Sequence, residues 1–379
     1  MTTEMGGSSV HTSKQETMAV DVGEKLEETA LIPGEVRVPP TDSMQTVETP
    51  NGESPGTLGS KLLKPQTIIS FLIALAIMIF FYKRLDISPG EVWDNLKAAN
   101  PWYFMAAAVV YYAGMVLRGI RWRWMLIAAD VEKLDGVKIP GNVQLTEILI
   151  LSWFVNCLVP ARMGDVYRGY VLKKESKISF SASLGTIVAE RVVDLFVLVA
   201  MMVTAGLVTF HGNTPGQATR TYFIAGLLIG FGAAALFLLW FARHFIERRL
   251  PEKWQGQFVR LHDALFACLR RPGRFIALSV VIWTMDGIRL LLVAKSLGVT
   301  LSYANSLFVS LMSSMLTTLP ITPAGLGVVE TAMVVVLKWV HISPSLALSI
   351  AVMDRLITYW SLIVVGLILY IRRFRNEVK

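Results

Sequence analysis

Two copies of one pattern hold the residues best suited to chemistry: a Pro-Ala-x-x-Gly turn, then an acid-Arg pair well downstream. The first copy is Pro160-Ala161-Arg162-Met163-Gly164 with Glu190-Arg191, and the second is Pro323-Ala324-Gly325-Leu326-Gly327 with Asp354-Arg355. From Pro to Arg is 31 residues in one copy and 32 in the other. Both acid-Arg pairs fall inside long apolar stretches, where ionised groups face a wet cavity or one another instead of lipid. Broken apolar segments with charges at matched places in two halves point to a transport site.

The residue types indicate an anionic cargo. Arg162 lies in the first turn and Arg168 four residues beyond Gly164, and a guanidinium offers phosphate several donors in a fixed fork. Arg191 and Arg355 add charge of the same sign. Gly325 and Gly327 permit close backbone approach, and a half-helix starting there would present free N–H groups to an anion. Thr317, Thr318 and Thr322 are nearby hydroxyl donors. Glu190 and Asp194 share a helix face, with Arg191 able to neutralise one of them. Asp286 and Arg289 form an i, i+3 pair, Glu330 follows the second turn, and with Asp354 these residues would balance charge or couple proton movement. Pro160, Gly164, Pro320 and Pro323 are the expected turn or gate positions. A structural reading of the same charges is ion pairing that locks spans together. For Asp286–Arg289 alone the two readings weigh equally.

No catalytic signature accompanies these residues. GxSxG, a Walker loop, HExxH and paired-cysteine metal sites are all missing from the sequence. The five histidines are scattered, and Cys157 and Cys268 stand far apart. The expectation is a transporter, without metal or cofactor. An intramembrane transferase using Glu190 or Glu330 as a base is a minor alternative.

The elements that must position these groups are helical and membrane-embedded. Apolar residues make up 54% of the 379-residue chain, and mean hydropathy is +0.53. Stretches at about 66–82, 101–127, 181–208, 221–241, 275–297 and 345–371 are long enough to cross a bilayer. Residues 1–60, with ten acids against three bases and no sustained apolar period, read as a disordered cytoplasmic tail. Residues 61–379 form the membrane domain, with a basic balance that suits cytoplasmic loops and not nucleic acid. Ser88, Pro89 and Glu91 mark the start of a short interfacial helix. Arg121-Trp122-Arg123-Trp124 reads as an interfacial anchor, and 248–271 as an amphipathic helix on the surface.

Basic clusters at 118–138 and 241–274, and at the C-terminus, place both termini in the cytoplasm. To keep the bases of 162–177 on that side, 145–174 must enter and return as a hairpin turning at Pro160–Gly164. The same logic gives 303–338 a hairpin entering from the opposite face. The expected fold is therefore an all-α polytopic membrane protein with about six full spans and two re-entrant helical hairpins. These form an inverted repeat with cores at about 142–208 and 303–371. Eight spans are the alternative.

The run Asn156-Cys157-Leu158-Val159-Pro160-Ala161-Arg162-Met163-Gly164-Asp165, with Arg168, resembles the lysylphosphatidylglycerol synthase transmembrane region family of flippase-like membrane proteins. Glu190-Arg191 with Asp194 matches that family's E-R-x-x-D element. Pro323 to Gly327 with Glu330 resembles its P-x-G-x-G-x-x-E element, and Asp354-Arg355 its late acid-Arg pair. The resemblance covers roughly 65–372. It implies a polytopic protein of a bacterial cytoplasmic (inner) membrane with a lipid-translocating or related envelope role. The soluble aminoacyltransferase domain fused to some relatives is not expected here.

The leading expectation is translocation of an anionic lipid between leaflets by alternating access, the lipid being a phospholipid or a polyprenyl-phosphate-linked lipid. Competing with it is a scaffold that presents lipid to an envelope-biosynthesis enzyme without moving it. A small-solute transporter ranks third.

Overall fold

The computed structural model describes residues 88–159, 162–210, 236–317 and 322–377, with isolated residues at 72, 226, 227, 230, 232 and 234. Every regular element among them is helical. The predicted 1–60 tail lies outside the described residues, as do most of the predicted span 66–82 and about half of 221–241.

The first helix, α1 (Pro89–Lys97), begins as its sequence dictates. Ser88 Oγ accepts the Glu91 N–H at 3.5 Å, and Pro89 fills the first turn. Then come α2 (Pro101–Ala128), α3 (Val131–Asp135), α4 (Asn142–Leu158), α5 (Met163–Ser176) and α6 (Phe180–Thr209). Beyond these are α7 (Arg243–Arg249), α8 (Glu252–Arg270), α9 (Gly273–Ser296) and α10 (Tyr303–Thr317). A single 3₁₀ turn at Pro323–Gly325 leads into α11 (Val328–Trp339) and α12 (Pro344–Arg355). A π-helical stretch, Leu356–Trp360, joins α12 to α13 (Ser361–Glu377).

The expectation of six full spans with two re-entrant hairpins, and its eight-span alternative, is overturned. Among the described residues four helices are long and apolar enough to cross a membrane: α2, α6, α9 and the run Pro344–Arg373. The shortest, α9, has 24 residues and reaches about 36 Å, beyond a hydrocarbon core of about 30 Å. Helix α4 has 17 residues and reaches only about 25 Å. Its apolar character has a different origin, since it is packed between α2, α5 and α13 and buries side chains on every face. Hydropathy cannot separate a short buried helix from a span.

Two apolar cores flank the charged residues. One contains Met115, Phe308, Leu311 and Leu337, and the other Trp122, Leu126, Leu172 and Leu265. Helix α2 runs through both, so the side chains between Met115 and Trp122 lie at the seam. The predicted 248–271 surface helix breaks at Pro251 into α7 and α8; α8 docks on α6 and α2, burying Ala264, Leu265 and Cys268, whose thiol meets the Met125 carbonyl of α2. A Cβ at Gly185 would collide with the Leu261 carbonyl, so glycine permits this approach.

Candidate functional site

Helix α2 carries two arginines that the charge count had assigned to a cytoplasmic belt. Arg118 and Arg121, at i and i+3, are 6% and 1% exposed, and Trp122 is fully buried. The interfacial-anchor reading of Arg121-Trp122-Arg123-Trp124 is corrected accordingly: Arg123 reaches the Pro140 carbonyl and Trp124 alone of the four is exposed. A buried guanidinium needs acids around it. The chain supplies them from other helices.

The first cluster joins α2, α5, α6 and α9. Arg121 donates to Glu190 at 2.9 Å and to both Asp194 oxygens at 2.5 and 2.8 Å. Its Nη1 also reaches Ser279 Oγ, and that hydroxyl lies 3.2 Å from Asp194. Arg168 donates to the second oxygen of Glu190 at 2.6 Å and stacks 4.4 Å above the Trp122 ring. Glu190 and Asp194 thus do share a face, but Arg121 and Arg168 neutralise them, not Arg191. Arg191 turns instead to Asp165 in a two-point pair at 2.7 and 3.2 Å, tying α6 to the start of α5.

The second cluster joins α2, α9, α11 and α12. Arg118 donates to Asp286 at 2.6 Å, and Arg289 sits 3.6 Å from the same carboxylate. Arg289 also pairs with Asp354. The predicted Asp286–Arg289 pair is therefore one link in a longer chain. Adjacent Asp354 and Arg355 diverge, because Arg355 pairs with Glu330 at 2.8 Å. The other Glu330 oxygen accepts the Gly327 N–H at 2.6 Å, the acid half of a helix-start clasp.

Each motif turn uses left-handed backbone. Arg162 has φ 54°, matching the φ 72° of Gly325 at the equivalent place, and Ala324 and Gly327 have φ 45° and 81°. A non-glycine residue there is strained. Gly164 needs its missing side chain for another reason: a Cβ would collide with the Ser152 carbonyl across the α4–α5 contact. Asn156 and Ser152 bond its N–H and C=O, each at 2.8 Å. The glycine donors expected to receive an anion are already used, Gly327 by Glu330 and Gly325 by the Thr322 carbonyl at 3.1 Å. Thr317 likewise bonds Ser314 O, whereas Thr322 Oγ1 is buried without a partner among the described residues. Pro160, Pro320 and Thr318 lie outside the described residues, and Pro323 opens the 3₁₀ turn.

The π stretch ties the two turns together. It starts directly after Arg355, whose Nη1 reaches the Ala324 carbonyl at 3.5 Å. Its Tyr359 hydroxyl donates to Cys157 O at 3.1 Å, near the end of α4, and Tyr111 from α2 donates to Thr358 O at 3.3 Å. π turns recur at functional sites.

Each cluster sets three arginines against three acids. Arg162 is the cation in excess. It is half-buried, makes no ion pair among the described residues, and is close enough to Arg191, Asp165, Asp194 and Glu190 to feel their charge. Beside it, Nε and Nη1 of Arg168 and Nε of Arg121 are buried without an acceptor among the described residues. The first cluster can therefore take an additional anion. Sequence reasoning missed Arg118, Arg121, Asp165 and Ser279 as members. The available signals were the i, i+3 arginines in an apolar run and Ser279 two helical turns before Asp286.

Residues 67–366 match the family model described as the lysylphosphatidylglycerol synthase TM region. That is the membrane region of the family. A UPF0104 membrane protein of Methanocaldococcus jannaschii is 33% identical over 230 residues, covering 60% of this chain and 97% of the relative. One from Methanothermobacter thermautotrophicus is 24% identical over 323 residues, covering 79% and 92%. The glycosyltransferase AglD of Haloferax volcanii is 28% identical over 338 residues, covering 79% of this chain but 53% of that protein. These UPF0104 relatives are archaeal membrane proteins, which overturns the expectation of a bacterial inner membrane. The bacterial placement rested on the family resemblance, and that resemblance extends to archaeal members too. The placement of both termini in the cytoplasm also loses two of its counted charges, since Arg118 and Arg121 are buried.

Proposed function

This chain belongs to the lysylphosphatidylglycerol synthase TM region family, and on that premise we propose that it moves an anionic lipid between membrane leaflets. The observation carrying the proposal is the surplus Arg162 beside the unused donors of buried Arg168. A lipid phosphate meets Arg162 first and then takes the free N–H groups of Arg168. Glu190 keeps Arg121 as its partner, so no acid is stranded while the head group enters. The second cluster closes the path: breaking both Glu330 contacts, to Arg355 and to the Gly327 N–H, frees the turn at 323–327, and access alternates between the two sides. The acyl or prenyl chain stays among the exposed apolar faces of the spans.

Among anionic lipids, a phospholipid and a polyprenyl-phosphate-linked lipid are the two candidates. The glycosyltransferase relative supports a second reading, in which the chain presents lipid to a glycan-building enzyme without moving it. Reconstitution separates the two. Liposomes containing the protein and a fluorescent phosphatidylglycerol or polyprenyl phosphate are treated with an impermeant quencher. Transport predicts protection of the probe that decays at a protein-dependent rate. In Arg162→Gln and Arg168→Gln that rate drops at least about tenfold, the scale of one lost charge-assisted bond. Normal rates in a folded double variant sink this site, and no translocation alongside a co-purifying enzyme favours presentation.

A further inference from the structure

The geometry points to a second head-group site, apart from the buried ion pairs, in a pocket of about 600 Å³ between the end of α2 and α8. That volume lies within the range of small-molecule sites. Its polar groups are nearly all committed to one another. Arg243 pairs with Asp263 at 3.1 Å, His262 Nδ1 lies 3.3 Å from the same carboxylate, and Asp130 pairs with Lys133 at 3.3 Å. Two groups are left over. Arg270, exposed in the last turn of α8, makes no ion pair among the described residues. His262 is 3% exposed, its ring is 4.5 Å from that of Phe266, and its Nε2 is buried without a partner among the described residues.

The imidazole chemistry narrows the ligand. With the Nδ1 proton given to Asp263, Nε2 is an acceptor and needs a donor. A buried acceptor left empty is unfavourable, so a ligand hydroxyl is the natural complement. Arg270 wants the opposite, an anion that accepts, and phosphate fits its fork. Trp240 on the pocket wall is 59% exposed; its ring neighbour Phe237 is 64% exposed, and Phe241, stacked on Phe237, is 74% exposed. This apolar lip suits the chain of a lipid. The ligand class is a phosphate esterified to a hydroxyl-bearing group such as glycerol or a sugar, carried on a lipid.

The test uses the full chain in phosphatidylcholine nanodiscs doped with a photoactivatable phosphatidylglycerol, with cross-links mapped by mass spectrometry. The expected result is labelling within 237–270, reduced about tenfold by Arg270→Gln, whose side chain is exposed and leaves the fold intact. His262→Phe keeps a ring between Phe258 and Phe266. It should bring labelling down to that of a phosphatidylcholine bearing the same photoactivatable group, which has the phosphate but no hydroxyl. Glycerol 3-phosphate in excess that abolishes labelling keeps the site but makes its ligand a soluble polyol phosphate; failure to compete supports the lipid. Labelling confined to other segments, or unchanged in both variants, overturns the site. Neither result bears on translocation, because Arg162 and Arg168 are untouched.

Discussion

Glu190 accepts from arginines on two different helices, Arg121 at 2.9 Å and Arg168 at 2.6 Å, while its own neighbour Arg191 is held elsewhere by Asp165. Removing one member of so buried a network strands the others, at a cost of about 3–5 kcal/mol. Arg121→Gln should therefore lower the thermal midpoint sharply, whereas Arg168→Gln combined with Glu190→Gln should recover part of the loss of either single variant. Additive losses in that double-mutant cycle would show the pair to be uncoupled. Arg162 allows a cleaner separation of stability from function. Its φ of 54° favours glycine, so Arg162→Gly should raise stability by about 1 kcal/mol. The same variant should abolish translocation, because the surplus cation is gone. A variant that is more stable and fully active would remove Arg162 from the site.

Among the elements, α2 and the π stretch bind parts that are far apart in sequence. Arg118 and Arg121 send one helix face into both clusters, and Tyr359 and Arg355 fasten the two motif turns to one segment. Tyr359→Phe leaves the Cys157 carbonyl without its donor, and a stability loss of about 1 kcal/mol is expected in a denaturation series. Gly164→Ala tests the α4–α5 contact. In an ordinary helix that change stabilises; here the added methyl meets the Ser152 carbonyl, and a loss of about 1–3 kcal/mol is expected. A gain would mean that the two helices stand further apart.

For the molecule as a whole, the docking of α8 onto α6 makes a checkable barrier. Burial pushes the Cys268 thiol up to about 12, so the folded protein holds it protonated and inaccessible across pH 7–9. In the unfolded chain a cysteine titrates near 8.5. Alkylation at pH 8.5 should accordingly await global unfolding, read by mass spectrometry of the modified peptide; rapid labelling of native protein would mean that α8 lifts from the helices it packs on, α2 first, where Cys268 meets the Met125 carbonyl. The sequence by itself determined the membrane class, the all-helical character, the Ser88 cap and the glycine-bearing turn ahead of Glu330, because hydropathy, capping and glycine placement are local properties. Only the tertiary structure decided which acid meets which arginine, that α4 is a short buried helix, and that Arg118 and Arg121 lie inside. Those outcomes depend on the neighbours each helix face acquires on packing, and a guanidinium in a one-dimensional charge count looks the same beside a head group as beside a buried carboxylate.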